Sequence, residues 1–404
     1  MKFIPAAFTL ILAFAAPLSA QAFSRCTSTA LSGPGGELAD EGSNPVAFGA
    51  RVYAGFTQGG NVTVVPAADF GSTLSAPVAI YTGNGVAGGL RLGVSHQNVY
   101  ALWKSRDGKH TELMFDASHG YGEAGTWDTP LDLGPIRGQA LTQLSADGRN
   151  VHLAFAMPDG TVSVRNSTDA GGDFSAPVPL GLGDEVVIVS HGQDVYAAWS
   201  THPSQQGIAL AASHDGGASF SINDVSGRDG HESTLALDPA TGRLSLAWVV
   251  FATHSGSYVQ SEDGISWTPP MTIDTPARQF TLADGGKDIY IAYFKDIPID
   301  GRKDWQAYVT VSSDGGATFS PHSLSGASGI ARIVADGLRP IPWSDGQRFT
   351  VTGLKSDGVY VWSGRNGSLA GDALYLGAGN KASPAGNAVV WLAPGGVVTY
   401  AYCQ

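Results

Sequence analysis

A repeat of about 48 residues constrains this chain more than any other feature. Three segments fit the pattern Ser-x-Asp-x-Gly-x-x-aromatic: Ser167, Asp169, Gly171 and Phe174; Ser213, Asp215, Gly217 and Phe220; and Ser312, Asp314, Gly316 and Phe319. Residues 261–267, with Asp263 and Gly264, carry the same box shortened by one position, and weaker echoes lie at 67–74 and 118–127. A second marker keeps step with the first. Apolar stretches at 99–103, 151–155, 195–199, 244–248 and 289–293 end in Trp103, Phe155, Trp199, Trp248 and Tyr293. Each follows a short turn, and before the turn lies another apolar stretch, as in Val186 to Val189.

One unit therefore reads as four strands: inner strand, turn, aromatic strand, third strand, box hairpin, outer strand. That order describes the blade of an all-β protein, a β-propeller of four-stranded blades. Within the box, the Asp carboxylate can accept backbone N–H bonds, the Gly supplies positive φ and the ring fills space between sheets. Asp169, Asp215, Asp263 and Asp314 are thus structural. Counting inner strands gives six units, near residues 91, 141, 187, 235, 281 and 333, and one more at 388–392. Stretches 52–56 and 61–65 look like later strands without an inner one. A seventh blade shared between the termini fits both ends best, closing the ring; six or eight blades also fit, because 330–378 is irregular.

At these boxes the chain resembles the sialidase-like Asp-box superfamily, also called the BNR repeat, over nearly its whole length. The resemblance implies a propeller and leaves activity open, since such boxes occur in enzymes and in non-enzymatic propellers. A sialidase would carry an early Phe-Arg-Ile-Pro-like segment, an arginine triad, an acid/base Asp and a Tyr–Glu nucleophile pair. No early Phe-Arg-Ile-Pro segment is present; residues 338–342, Leu-Arg-Pro-Ile-Pro, come late in the chain.

Residues 1–22 read as a cleaved export signal: Lys2, an apolar run from Phe3 to Pro17, and Ala20-Gln21-Ala22 as a small-x-small site. The rest, 23–404, is expected to form one propeller domain with a Gly-rich lead-in at about 27–45. A periplasmic or secreted location follows, with no membrane anchor. The only two cysteines, Cys26 and Cys403, are expected to pair in an oxidising compartment and to clasp the two ends. Without Lys2 the chain holds 22 basic against 35 acidic residues, a surface that repels nucleic acid and anionic membranes.

Blade order places the boxes and inner-strand turns on one face. The loops before inner strands and after aromatic strands lie on the other, at the channel mouth, and a ligand is expected there. Arg91, Arg278 and Arg332, with Asp184 and Glu232 between them, could form a pocket for a carboxylate or sugar acid. Alternatively these charges pair with one another across a water-filled channel. Asp184 and Glu232 are also the candidates for a catalytic carboxylate pair. The stretch 294–305 reads as a long loop with Asp296, Asp300 and Trp305 on the same face. Histidines His110, His202, His231 and His254 could in principle assemble a metal site, but no local ligand motif supports one, and no cofactor is predicted. The leading expectation is a non-catalytic recognition module for a glycan, an acidic small molecule or a protein. The alternatives are a sialidase-like glycoside hydrolase and a periplasmic accessory or metal-handling protein.

Overall fold

A computed structural model describes residues 23–38, 45–201, 207–227, 229–286, 288–299, 302–324, 342–344, 348–355, 357–365 and 368–404. The export-signal stretch 1–22, Arg332 and the segment 338–341 lie outside these residues, as do His202 and Asp300. The described residues form antiparallel sheets and a single short 3-10 turn, Asp69–Gly71.

Most sheets have four strands in sequence order, as in Val86–Ser95, Asn98–Asp107, His110–Ser118 and Leu131–Pro135. One seven-stranded sheet is two such sets sharing the long strand Val178–His191, whose first part pairs with Thr161–Ser167 and whose second part pairs with Asp194–Thr201. Counted this way, the described residues hold eight four-strand sets, one more than the preferred reading of the sequence. The extra set comes from both ends of the chain. Ala388–Ala393 is an aromatic strand, not an inner one; Asn380–Ala385 lies inside it. Its set is completed by Val397–Cys403 and, on the outside, by the amino-terminal strand Cys26–Ala30. Meanwhile Arg51–Gln58 has its own inner partners, Gly36–Glu37 and Val46–Phe48, so the first set borrows nothing from the last. Those inner strands are two and three residues long, too short to show a period in the sequence.

Consecutive sets pack face to face through the rings that close the second strands. Phe56, Trp103, Phe155, Trp199, Trp248, Tyr293 and Trp391 are all buried. Each contributes roughly 2–3 kcal/mol of apolar burial, and the clusters they join alternate along the chain from set to set. The last set packs on the first: Ala388, Val390, Val398 and Tyr400 share one core with Val52, Phe56 and Val65. Cys26 and Cys403 stand opposite each other in register and are joined by the disulfide, as the sequence predicts.

The box hairpins form as expected. Ser167 Oγ donates to Asp169 Oδ1 at 2.7 Å and accepts the Gly171 amide at 2.9 Å, while Asp169 also accepts the Asp173 amide. The hairpins at Ser213, Ser261 and Ser312 repeat the pattern. A Cβ on Gly171 would come within 2.6 Å of the Phe115 ring in the preceding set, so this glycine lets each box seat on its neighbour. The first set's echo of the box makes the same contact with the last set: the Tyr400 hydroxyl donates to the Gly71 carbonyl at 2.6 Å.

Candidate functional site

Inner strands enter their sheets at the face opposite the boxes, and five of them enter through a bulge. The ladder skips between Gly88 and Arg91, Asp184 and Val187, His231 and Thr234, Arg278 and Thr281, and Asn380 and Ser383. At each skip one residue takes a left-handed conformation: Gly89, Glu185, Glu232, Gln279 and Lys381. A bulge re-aims the side chain beside it and exposes a backbone N–H that needs a partner.

The bulge residues supply those partners to one another. Glu185 Oε2 accepts the Glu232 amide at 3.1 Å and the Ser200 hydroxyl at 3.0 Å, and Glu232 Oε2 accepts the Gln279 amide at 2.9 Å. Lys381 reaches onward too, donating to the Leu38 carbonyl of the first set. These carboxylates therefore stitch one set to the next. Sequence reasoning named Glu232 and Asp184 but missed Glu185, because its role depends on a bulge that no residue pattern announces.

Around Glu232 the structure gathers several of the expected residues. His231 Nδ1 stands 3.7 Å from Glu232 Oε1. The His231 ring meets Phe251 edge-on at 5.5 Å between centroids, and the His254 ring lies 6.3 Å from Phe251. The Ala277 amide donates to the His254 carbonyl at 2.6 Å, and the next residue, Arg278, is exposed. Phe251 is 57% exposed and was not singled out from the sequence. Both imidazoles pack on Phe251 and form an aromatic rim with it. Among the described residues no group of three or more metal-ligating side chains occurs; His110 sits at its own strand turn, exposed.

Other expectations are rearranged. Arg91 is buried, 3% exposed, and its Nε donates to the Thr142 carbonyl at 3.0 Å, while Lys104 donates to the Ala140 carbonyl nearby. Arg91 is thus tied to the backbone that leads into the inner strand of the next set. Asp184 lies apart from Arg278, in a hollow of about 270 Å³ with Arg137, Gln139 and Glu185. Residues 294–299 and 302–305 are strand, not loop: Asp288–Ile299 pairs with Arg302–Ser312 from Ile289 to Ile299, with Asp296 opposite Trp305.

A central cavity of about 520 Å³ touches inner strands from seven of the eight sets, including Leu92, Leu144, Val187, Leu235, Phe280 and Pro384. Consecutive residues such as Leu92, Gly93 and Val94 all line it, because strands meet the cavity edge-on. Alternation therefore does not sort charges into the channel, and Glu185 is the ionisable residue among its lining. Among the described residues the lining mixes apolar side chains with Gln143, Ser145, Ser233, Thr234, Thr281 and Ser383.

No protein-family profile matches the chain, and no curated protein matches it by sequence. Solved structures do match in three dimensions. The WD40 domain of SCAP from fission yeast superposes with a TM-score of 0.54 at 9% identity, covering 94% of this chain and 98% of that one. The polysaccharide lyase Uly1 gives 0.51 at 9% identity, covering 90% and 89%. A PL25 ulvan lyase bound to -[GlcA(1-4)Rha3S]- gives 0.51 at 10% identity, covering 87% and 98%. The fold is a β-propeller. At such low identity the likeness carries the fold and no activity.

Proposed function

We propose that this chain is an exported, eight-bladed propeller of the Asp-box type, closed by both termini within 23–404, that acts as a non-catalytic recognition module. Its ligand is an acidic glycan, taken at the channel mouth between the fifth and sixth blades. The observation that carries this reading is the use of Glu185 and Glu232 as caps for backbone amides of the next blade. A general acid must be able to approach a glycosidic oxygen, and a carboxylate committed to its own scaffold is a poor one. The exposed Phe251 face offers a stacking surface for a sugar ring, and the Arg278 guanidinium suits a carboxylate or sulfate. The disulfide supports export into an oxidising compartment. Among the described residues no helix is long and apolar enough to cross a membrane.

A screen of the disulfide-bonded protein against carboxylated and sulfated oligosaccharides, run beside fluorogenic glycosides, tests the proposal. Binding without turnover is expected, with affinity reduced about tenfold or more by Phe251→Ala and by Arg278→Ala. Turnover that disappears in Glu232→Gln would establish the hydrolase alternative instead.

A further inference from the structure

The box face carries a second, independent feature. In every full-length box the residue just before the glycine is left-handed: Ala170 at φ 67°, Gly216 at 72° and Gly315 at 74°. The conformation is enforced by a repeated bond from that residue's amide to the inner turn of its own blade, as Ala170 to Arg149 and Gly216 to Gln193. Glycine satisfies this position without strain. In the first two blades it is filled by Phe70 at 58° and Tyr121 at 59°, with the same bonds to Ala50 and Gln97. A bulky residue held left-handed is strained, and strain of this kind collects at functional sites. Both rings remain exposed, Phe70 62% and Tyr121 41%.

Both residues flank the turn that holds Ala50: the Phe70 amide bonds to the Ala50 carbonyl, and the Arg51 guanidinium lies 4.2 Å over the Tyr121 ring. Phe48, 43% exposed and just before that turn, packs on His96 at 5.2 Å. Beside these residues opens a cavity of about 500 Å³ lined by His96, Gln97, Asn98, His119, Arg149 and Asp169. Its walls are planar hydrogen-bonding groups of mixed sign: Arg149 and Asp169 both line it, and His119 Nε2 lies 2.9 Å from Asp128.

We infer that this cavity and its aromatic border form a second binding site, on the face opposite the channel mouth, for a neutral saccharide. Exposed rings stack on the C–H faces of sugars, and amides, imidazoles and guanidinium bond their hydroxyls. Balanced charge fits an uncharged polyhydroxyl ligand better than a phosphate or sulfate. A volume of this size accommodates one or two sugar rings.

The decisive variant is the double replacement Phe70→Gly and Tyr121→Gly, assayed in the whole disulfide-bonded protein on an array of neutral, carboxylated and sulfated oligosaccharides. Calorimetry then follows with the best neutral ligand. Relief of left-handed strain keeps the melting temperature level or raises it, while neutral-sugar affinity falls at least about tenfold and acidic-sugar binding is unchanged. Phe251→Ala is expected to do the reverse, so the two sites fail separately. Absence of any neutral-sugar binding, or its survival in the glycine double variant, overturns the inference.

Discussion

Box hairpins and channel-mouth bulges solve one problem, a bent backbone with an exposed N–H, with the same group at different range. The box carboxylate serves its own hairpin: Asp215 Oδ1 accepts the Ser219 amide four residues on. The bulge carboxylate serves another blade: Glu232 accepts from Gln279, 47 residues on. A local cap shapes a turn whatever the rest of the molecule does. A long-range cap exists only when two blades are already seated, so it reports and reinforces blade order. Asp116 makes a third case. It is 1% exposed and accepts the amide of its own neighbour, Ala117, through Oδ1, while Oδ2 has no hydrogen-bond partner. Burial pushes its carboxyl up to about 7.

The contrast between local and long-range links can be broken at the chain ends first. Cys26→Ser with Cys403→Ser removes a link spanning 377 residues, and loop entropy makes this the largest expected loss, on the order of 5 kcal/mol. Chemical denaturation of the variant against the parent measures it, and a loss below that of a single box variant would show that strand pairing alone holds the ends. Asp116→Asn comes next. Because its folded carboxyl titrates above the ordinary 3.8, the folded state holds the proton more tightly. Stability from this group is therefore full below about pH 4 and declines as pH rises through 7. The variant should lose that decline and be more stable than the parent at pH 8, on the order of 3 kcal/mol. Glu232→Ala follows, leaving the Gln279 amide unpaired at a cost of about 1–3 kcal/mol. Glu232→Gln, whose amide oxygen still accepts, should recover most of it.

This ranking also explains what could be read from the residues alone. Boxes were legible because serine, aspartate and glycine act within five positions of one another, and the aromatic strands because Trp103, Trp199 and Trp248 recur 13 to 15 residues before them. Glu185 was not legible, since nothing near it in the chain tells that its partner is the Glu232 amide. Arg91 misled for the same reason: an arginine in an inner strand reads as a ligand group until the Thr142 carbonyl beneath it is seen. The inner edge of the first set was not legible, because it is made of two fragments, Gly36–Glu37 and Val46–Phe48. His231 and His254 were found singly, but both pack on Phe251, a ring that no residue pattern singles out.

The smallest effect sharpens the comparison furthest. Hydrogen bonds from Ser219, Ser266 and Thr318, with the box serines behind them, hold Asp215, Asp263 and Asp314 down at about 2. Their contribution is complete above the ordinary carboxylate range and is lost as pH falls from about 4 towards 2. These carboxylates are exposed, so solvent screens each one and the loss per box is slight. Melting temperatures between pH 5 and 2 should fall in the parent and fall less in a variant with all three changed to Asn. Asp116 works in the opposite direction and above pH 4, so the two windows do not overlap. A single pH series on the parent, the triple variant and Asp116→Asn separates local caps from the buried carboxyl. If the triple variant follows the parent down to pH 2, the box aspartates shape their hairpins without stabilising the folded state.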